Sequence, residues 1–412
     1  MAERVRIEQL GARGDGVAAT PDGPLYIARA LPGELVAVER RGERGVLLDV
    51  IEPSPDRVAA YCPEVGRCGG CATQELSQAS ALDWKRGLLI EAFARAGVAC
   101  EGLVASTVDA HGAGRRRATF HARFGADGRL SVGFAEAKSH AIVAISDCPL
   151  LAPAMVGALP AARAVAATLA SKRKPLDLIV TATDTGLDLD ARGSGPVPEP
   201  LRLRLARVAE EHDLARLSIH GDVVVARRKP VLQIGRAQVS PPPGGFLQAT
   251  EAGERVLAEL AAAGISKAKR VADLFCGVGA FALRLAETAE VFAADAERPA
   301  VAALDAAARA AQGLKRVTAE ARDLFRRPLT PNELKGFDVV VFDPPRAGAE
   351  AQARALATSG VRRVVAVSCN ATTLARDAAI LIAGGYRLTG ATPVDQFRHS
   401  AHVETVAVFE RR

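Results

Sequence analysis

The sequence predicts an α/β protein whose carboxyl-terminal part is a parallel sheet with functional residues at the carboxyl ends of its strands. Three apolar runs carry this prediction, because each passes directly into polar or glycine-rich residues. These strand ends are Asp273-Leu274-Phe275-Cys276-Gly277-Val278-Gly279, Asp343-Pro344-Pro345-Arg346 and Ser368-Cys369-Asn370. Ligand-binding and catalytic residues of open parallel sheets gather at that edge. Because 412 residues exceed one ordinary core, two or three domains are expected.

Composition and charge narrow the class of protein. Apolar residues make up 49% of the chain, which supports well-formed cores. The charged start, Met1 to Glu8, does not resemble a secretory signal, and no apolar run is long enough to span a membrane. A cytoplasmic protein with seven reduced cysteines is therefore expected.

Basic clusters in the middle third point to a polyanionic partner. The net charge of +6 alone gives only a mild attraction. The clusters are Arg115-Arg116-Arg117, Lys172-Arg173-Lys174 and Arg227-Arg228-Lys229. Each is either solvated surface or part of a phosphate-contacting face, and their occurrence in one region makes the second more plausible.

Residues 1–57 predict a small β-barrel of the OB type. Segments 5–8, 34–39 and 45–50 alternate apolar and polar residues, glycines separate them, and Pro53-Ser54-Pro55 ends the unit. Several short strands with turn signals in so short a segment are typical of such barrels.

Residues 58–240 predict a mixed α+β domain, and residues 241–412 predict the alternating helices and strands of the parallel sheet. An amphipathic helix from Leu76 to Ala96 lies in segment 76–105, which is expected to pack onto the catalytic domain. Strand-like runs at 118–124, 130–134 and 141–145 and helical segments near 152–170 and 200–212 follow. A proline-rich linker, 240–245, precedes the last domain.

Four cysteines have the spacing of a metal site. Cys62, Cys68 and Cys71 form C-x5-C-x2-C, and Cys148 lies before a proline. Thiolates suit zinc or iron–sulfur clusters. A four-cysteine zinc site usually consists of two C-x2-C pairs, so the three-plus-one pattern favours a 4Fe-4S cluster. Reduced thiols without metal are the alternative.

The turn after the strand Val271–Leu274 indicates a cofactor site. Its short loop with two glycines lacks the spacing of a phosphate-binding loop. Asp295 ends the next strand, where an acid can accept the ribose hydroxyls, and Asp323 lies at the following strand end, where it can receive an adenine amino group. This arrangement suits S-adenosylmethionine, which has no pyrophosphate. Either aspartate can instead be a helix N-cap.

The chain resembles the RNA uracil-5 methyltransferases that act on 23S rRNA, in the subgroup with an N-terminal TRAM domain and an iron–sulfur cluster. The resemblance runs from Pro32-Gly33-Glu34 through Cys68-Gly69-Gly70-Cys71 and Val132-Gly133-Phe134 to the carboxyl end. It implies a class I methyltransferase domain and methyl transfer from S-adenosylmethionine to carbon 5 of a uridine in 23S rRNA. No protein partner is implied, and a monomer is expected.

The resemblance also implies site residues. Cys62, Cys68, Cys71 and Cys148 would hold the 4Fe-4S cluster. The cofactor positions would be Gln248, Phe275, Gly277, Ala280, Asp295, Asp323 and Asp343. Thr250 stands where the family usually has Asn, and Ala280 where a polar residue is usual, so both changes are expected to lose hydrogen bonds and weaken cofactor binding.

Uracil carbon 5 is a poor nucleophile, so the chemistry requires a thiol and a base. A thiolate that adds to carbon 6 makes an enolate, and a base must later remove the proton from carbon 5. Cys369 is the candidate nucleophile, although a lone cysteine is often a buried core residue. Phe397 to Glu404 resembles the family's Phe-Pro-His-Thr-x-His-x-Glu, whose Glu is the base. His399 and His402 either orient these groups or are structural.

Other enzyme classes fit the motifs less well. Amine methyltransferases carry an aromatic residue after the two prolines, where this chain has Arg346, and RNA cytosine-5 enzymes place a Pro-Cys pair there. A radical methylthiotransferase requires C-x3-C-x2-C, which is missing. A tRNA-directed relative and a non-catalytic RNA-binding protein of the same fold stay as alternatives.

Overall fold

The computed structural model describes residues 2–125, 128–137, 139–170, 173–265 and 267–411. Lys172 of the second basic cluster lies outside this part of the chain. Strands in the described ranges form three large sheets and one two-stranded ribbon. None of the helices found in these ranges has the length and apolar character needed to cross a membrane.

The N-terminal strands form one sheet around a small apolar core. In the described part of this unit the strands are β1 Glu3–Arg6, β2 Gln9–Leu10, β3 Gly16–Thr20, β4 Gly23–Ile27, β5 Leu35–Arg41 and β6 Arg44–Glu52, in the order β1-β5-β6-β4-β3-β2. Alternate side chains such as Leu25, Ile27 and Val36 point inward and are fully buried. The identification of this unit as an OB-like TRAM barrel stays a prediction.

The middle of the chain forms a second sheet with two covering helices. The elements in this part of the chain are α1 Gln78–Arg95, β7 Val108–Asp109, β8 Arg117–Phe124, β9 Leu130–Ala135, β10 Ile142–Val143, a 3-10 helix Pro153–Met155, α2 Ala158–Leu169, β11 Leu176–Thr183, β12 Gly186–Arg192, α3 Glu199–Glu211, β13 Arg216–Ile219, β14 Asp222–Ala226, β15 Leu232–Ile234 and β16 Ala237–Val239. Of these, α1 and β7 pack with the last sheet, and β15 and β16 form the separate ribbon. The sheet has the order β10-β9-β8-β11-β12-β13-β14. The helix expected from 152 begins only at Ala158, because Gly157 takes a left-handed φ of 86°.

The carboxyl-terminal sheet is mostly parallel and has helices on both faces. Its elements are α4 Glu251–Ile265, β17 Arg270–Leu274, α5 Ala282–Leu285, β18 Glu290–Asp295, α6 Arg298–Ala310, β19 Val317–Ala321, β20 Val339–Phe342, α7 Glu350–Ala357, β21 Arg363–Ser368, α8 Ala371–Ala383, β22 Tyr386–Asp395 and β23 Glu404–Arg411. The described strands have the order β19-β18-β17-β20-β21-β23-β22-β7, and β23 alone of them runs antiparallel to β21. One apolar cluster holds α4, α5 and α6 against the sheet, and another holds α1, α7 and α8.

Segment 76–105 packs against this sheet. The helix is shorter than the segment, because α1 ends at Arg95, and Ser77 caps its start. Leu89 and Phe93 are fully buried in the cluster formed by α7 and α8. The chain then continues to β7, where Val108 pairs with Val394 of β22. An early part of the sequence therefore completes the edge of the last sheet.

The first basic cluster has one buried arginine, Arg116, between two that are partly exposed. Arg116 is 8% exposed and pairs with Glu254 of α4 at 2.5 Å, while Arg115 lies over the ring of Phe397. The cluster 227–229 remains at the surface, where two of its arginines pair with Asp213. Arg116 therefore belongs neither to solvated surface nor to a phosphate-contacting face, because its charge is neutralised inside the protein.

Candidate active site

Strand registers bring the predicted catalytic residues to one edge of the carboxyl-terminal sheet. Phe342 of β20 pairs with Ala366 of β21, and Ser368 of β21 pairs with Thr405 of β23. Cys369, which follows Ser368, and Glu404, which precedes Thr405, therefore lie beside each other. Asp343 follows Phe342 at the end of the neighbouring strand, close enough that its charge acts on both Cys369 and Glu404.

Cys369 lies between the end of β21 and the first turn of α8. Asn370 caps α8 by accepting from Thr372 N at 3.0 Å, and its Nδ2 donates to the carbonyl of Arg346 at 3.1 Å. Asn370 thereby joins the two turns that flank the thiol. The thiol is half-buried, and burial, followed by the charges of Glu404 and Asp343, raises the pKa of Cys369 to about 11. The guanidinium of Arg346 acts against that rise.

Glu404 is buried, and only one of its two carboxylate oxygens accepts a hydrogen bond from a described residue. Its Oε1 accepts from Nε2 of Gln396 at 3.2 Å, and within the described chain its Oε2 has no hydrogen-bond partner. Burial, followed by the charge of Asp343, raises the pKa of Glu404. Asp343 is partly exposed as a residue, but its carboxylate is buried, and the loss of hydration raises its pKa as well. A carboxylate whose pKa is raised in this way is suited to exchange protons near neutral pH.

Gln396 is a site residue that the sequence did not reveal. It follows β22, and no residue type or spacing around it signals a role, because a glutamine near a strand end is usually surface. In the structure it is fully buried between Glu404 and Gln248. Gln248 in turn donates to Oδ2 of Asp343 at 3.0 Å, so amides link the two carboxylates.

The loop after β17 has space and backbone groups for a ligand. Gly277 has a φ of 53°, and a Cβ built on it would meet no atom within 4 Å, so its backbone faces open space. Its N–H donates to Oδ2 of Asp295 at 2.9 Å. Asp273 is fully buried, and neither of its carboxylate oxygens accepts a well-formed hydrogen bond from a described residue, although the N–H of Ala282 faces it.

The two strand-end aspartates both cap turns. Oδ1 of Asp295 accepts from Glu297 N at 2.8 Å, and Oδ1 of Asp323 accepts from Phe325 N at 3.0 Å. Carboxylate oxygens have further acceptor positions, so these bonds leave room for a ligand. Phe275 packs against Phe325 with ring centroids 5.4 Å apart, and Ala280 ends the same turn half-buried.

Thr250 uses its hydroxyl inside the protein. Oγ1 donates to the carbonyl of Ala110 at 2.7 Å and accepts from Gly253 N at 2.8 Å. These two bonds hold the start of α4, and the expected weakening of cofactor binding at this position stays a prediction.

Four predicted cluster cysteines line one cavity of about 700 Å³. They are Cys62, Cys68, Cys71 and Cys148, all unpaired. Burial and the neighbouring thiols raise the pKa of Cys71 to about 12. In the described residues no three Cys, His, Asp or Glu side chains lie close enough to bind a single metal ion. A four-iron cluster is larger than one ion, so its thiolates stand further apart.

The cysteine-bearing loop contacts the segment that leads to Glu404. The carbonyl of His399 accepts from Ala72 N at 2.7 Å, and its Nε2 lies 2.8 Å from the hydroxyl of Tyr61. His402 instead faces Arg346 at 3.0 Å. In the described chain the ring nitrogens of the two histidines bond Tyr61, the carbonyl of Thr73 and Arg346, and none of them bonds Glu404. Their contacts favour a structural role.

Comparison with known proteins identifies the family. The family model described as tRNA (uracil-5-)-methyltransferase matches residues 244–412. An RNA methyltransferase of Rhizobium meliloti is 48% identical over 99% of both chains. The 23S rRNA (uracil(1939)-C(5))-methyltransferase RlmD of Halomonas elongata is 34% identical over 98% of this chain and 88% of its own.

A solved structure has the same overall fold. The tRNA (uracil-54, C5)-methyltransferase of Pyrococcus abyssi, in complex with S-adenosyl-L-homocysteine, superposes with a TM-score of 0.73 and 22% identity, over 99% of this chain and all of its own. This likeness confirms the α/β methyltransferase fold that the sequence predicts. From the full-length relatives and the family model together, the chain belongs to the RNA uracil-5 methyltransferase family.

Proposed function

We propose that the protein transfers a methyl group from S-adenosylmethionine to carbon 5 of a uridine in 23S rRNA, giving 5-methyluridine. One observation carries the proposal. A half-buried thiol, Cys369, and a buried carboxylate with one unpartnered oxygen, Glu404, adjoin each other at the edge of a methyltransferase sheet. Methylation at a pyrimidine carbon requires this pair, whereas methylation of an amine does not.

The two residues divide the chemistry. The thiol of Cys369 gives its proton to solvent and the thiolate sulfur bonds to carbon 6 of the uracil. The electron pair of the carbon 5–carbon 6 double bond then forms an enolate, which leaves carbon 5 electron-rich. When bound, S-adenosylmethionine supplies an electrophilic methyl group to that carbon. Oε2 of Glu404 then takes the proton from carbon 5, and the electron pair that is released re-forms the carbon 5–carbon 6 double bond and expels the thiolate. Arg346, whose charge lowers the pKa of Cys369, favours that thiolate.

The cofactor would lie over the loop after β17. Gly277 offers an open backbone face, and among the described residues the buried carboxylate of Asp273 has no well-formed hydrogen-bond partner, which fits a cationic ligand beside it. Asp295 and Asp323 would receive the ribose and the adenine amino group at their free acceptor positions. The remaining contacts proposed are Gln248, Phe275, Ala280 and Asp343.

The cysteine-lined cavity would hold a 4Fe-4S cluster in residues 58–240, between a TRAM barrel at 1–57 and the catalytic domain at 241–412. Four unpaired thiols around one cavity fit that group chemically. The methyl transfer needs no electron, so the cluster is structural or positions RNA. Anaerobically purified protein should be brown and contain about four irons per chain. Zinc in their place would contradict the assignment.

The choice of 23S rRNA rests on the Halomonas relative, and the Pyrococcus enzyme supplies the alternative, tRNA. Mass-spectrometric mapping of 5-methyluridine in rRNA and tRNA from cells with and without the protein distinguishes them. Loss of one 23S rRNA site supports the proposal, and loss confined to tRNA replaces it. If neither changes and purified protein methylates neither RNA, the protein is a non-catalytic RNA-binding member of the family.

A further inference from the structure

We propose that Gln396 is a positioning residue for the base, whose amide holds Oε1 of Glu404 so that Oε2 is the oxygen that takes the proton from carbon 5. The inference rests on the proposed function of Glu404. Gln396 is fully buried, 3.2 Å from Oε1 of Glu404, and Oε2 has no partner in the described chain.

The orientation of the Gln396 amide follows from its neighbours. Its Oε1 lies 3.3 Å from the backbone N–H of Thr250, which can only donate. The opposite end of the amide must therefore be the NH₂ group. Its two hydrogens go to Oε1 of Gln248, at 2.7 Å, and to Oε1 of Glu404. Every hydrogen-bonding position of the amide except one acceptor site is used.

Helix α4 leaves a slot for this side chain. A Cβ added to Gly253 would lie 2.6 Å from Oε1 and 2.8 Å from Cβ of Gln396, distances at which atoms cannot remain. The missing side chain at 253 therefore permits the close approach of Gln396, and the helix holds the amide against movement away from Glu404.

A neutral donor is suited to this position. Glu404 faces Asp343 at the end of β20, Arg346 in the following turn and Cys369 at the end of β21. The Gln396 amide favours the ionised carboxylate through its N–H, but it adds no charge that would draw the proton-accepting oxygen away from the substrate. Without it, Glu404 would bind its proton more tightly and lose its fixed rotamer.

The test uses RNA with tritium at carbon 5 of uridine and methyl-labelled S-adenosylmethionine. Gln396→Leu removes the donor, and Gln396→Met removes it at nearly constant volume. Methyl incorporation in the first turnover should change less than threefold, whereas tritium release should slow about tenfold, with a covalent protein–RNA adduct accumulating. The acid limb of the release rate should move to higher pH.

Two further variants keep the test decisive. Gln352 is an equally buried glutamine on α7 that bonds only the backbone of Leu329, so Gln352→Leu should lower thermal stability without moving the acid limb. Gly253→Ala crowds Gln396 and also Oγ1 of Thr250, leaves every catalytic group intact, and should reproduce part of the tritium-release defect. If Gln396→Leu fails to fold, Gln396→Met and Gly253→Ala decide.

The outcomes separate this inference from the proposed function. If Glu404→Gln stalls tritium release while Gln396→Leu, Gln396→Met and Gly253→Ala release it as fast as wild type, the role of Gln396 fails and the base stands. If Glu404→Gln releases tritium normally, the base itself is misassigned. A parallel fall in methyl incorporation and tritium release for the Gln396 variants would make the residue merely structural and would also overturn the inference.

Discussion

Buried carboxylates in this protein differ in their partners: some pair with arginine, and Glu404 does not. In the sheet of β8 to β14, here called the central sheet, Asp188 receives both arms of Arg216 at 2.7 and 2.8 Å. On α4, Glu254 pairs with Arg116, the residue before β8, and with Arg284. At the edge of the carboxyl-terminal sheet, Glu404 has an amide on one oxygen only. Among the described residues no Lys or Arg lies within 4.0 Å of its carboxylate.

The difference distinguishes carboxylates that stabilise the fold from a carboxylate that serves the reaction. A buried carboxylate without a partner costs free energy of folding, so a protein that needed only stability would pair or replace it. Arginines are available in this chain and are used for Asp188 and Glu254. The unpaired carboxyl at the sheet edge is therefore expected to serve a reaction, and its loss should affect catalysis without harming the fold.

The largest expected effect is at the nucleophile. Cys369→Ala should lower methylation by about 10³-fold or more, because without a sulfur bond to carbon 6 the enolate does not form. Binding of S-adenosylmethionine and RNA should be nearly unchanged. A 5-fluorouridine RNA should trap wild-type protein at Cys369, since fluorine does not leave as a proton does, and peptide mass spectrometry locates the adduct.

Cys276 provides the matched control for this thiol. It is 4% exposed and packed in the cofactor loop, where burial raises its pKa well above the ordinary value. Cys276→Ala should keep catalysis, with at most weaker cofactor binding. An adduct on Cys276, or methylation by Cys369→Ala, would show that the nucleophile is misassigned.

At the base, Glu404→Gln should slow proton removal by about 10²–10⁴-fold, the usual contribution of a general base. Cys369 can still add and the methyl group can still transfer, so a covalent protein–RNA species should accumulate and be visible by denaturing gel. The melting temperature should not fall, because the substitution removes an incompletely partnered buried acid. A lower melting temperature together with rapid turnover would show that Glu404 stabilises the fold and is not the base.

In the central sheet the opposite result is expected. Arg216→Leu leaves Asp188 buried without its partner and should lower the free energy of unfolding by about 3–5 kcal/mol. Methylation per folded molecule should be retained. Urea unfolding and a methyl-transfer assay on the same sample measure the two quantities.

An exposed ion pair controls for the loss of a charge alone. Arg95 and Glu91 lie one helical turn apart with side chains 72% and 55% exposed. Arg95→Leu should cost no more than about 0.5 kcal/mol. Equal losses in Arg216→Leu and Arg95→Leu would remove the distinction between buried and exposed pairs.

Much of the edge of the sheet follows from local sequence. Apolar runs that end in polar residues identify β17, β20 and β21, because a strand and its terminal residue are contiguous in the chain. Glu404 was found by a motif of neighbouring residues. These signals lie within short segments of the chain, so they can be recognised in a single sequence without knowledge of distant contacts.

Other features depend on contacts between distant segments and have no local signal. Gln396 acquires its position from Gln248, which lies 148 residues away, and from the absence of a side chain at Gly253. Arg116 belongs to a run that looks like surface, but it pairs with Glu254, 138 residues later. The role of a glutamine or an arginine is set by which segment folds against it.

The last prediction concerns pH and stability. Burial raises the pKa of Glu404 from 4.5 to about 8, so the folded protein holds a proton that the unfolded chain releases. This contribution to stability is complete below about pH 4.5 and is lost as the pH rises through the folded pKa, with a slope of at most about 1.4 kcal/mol per pH unit. Asp343, whose pKa is also raised, contributes with the same sign. Stability from these groups therefore falls between about pH 5 and 8.

Glu404→Gln should flatten that fall, because it removes one of the two groups. The measurement is urea unfolding followed by circular dichroism at pH 5, 6, 7 and 8. Glu410 lies on the same strand, but its bond to Arg363 lowers its pKa, so its contribution is present above the unfolded pKa and lost only toward acid. Glu410→Gln should therefore leave the slope in this window unchanged. If the two variants have the same slope as wild type, Glu404 is ionised in the folded protein, and the sheet edge then holds a buried charge that the central sheet would have paired with arginine.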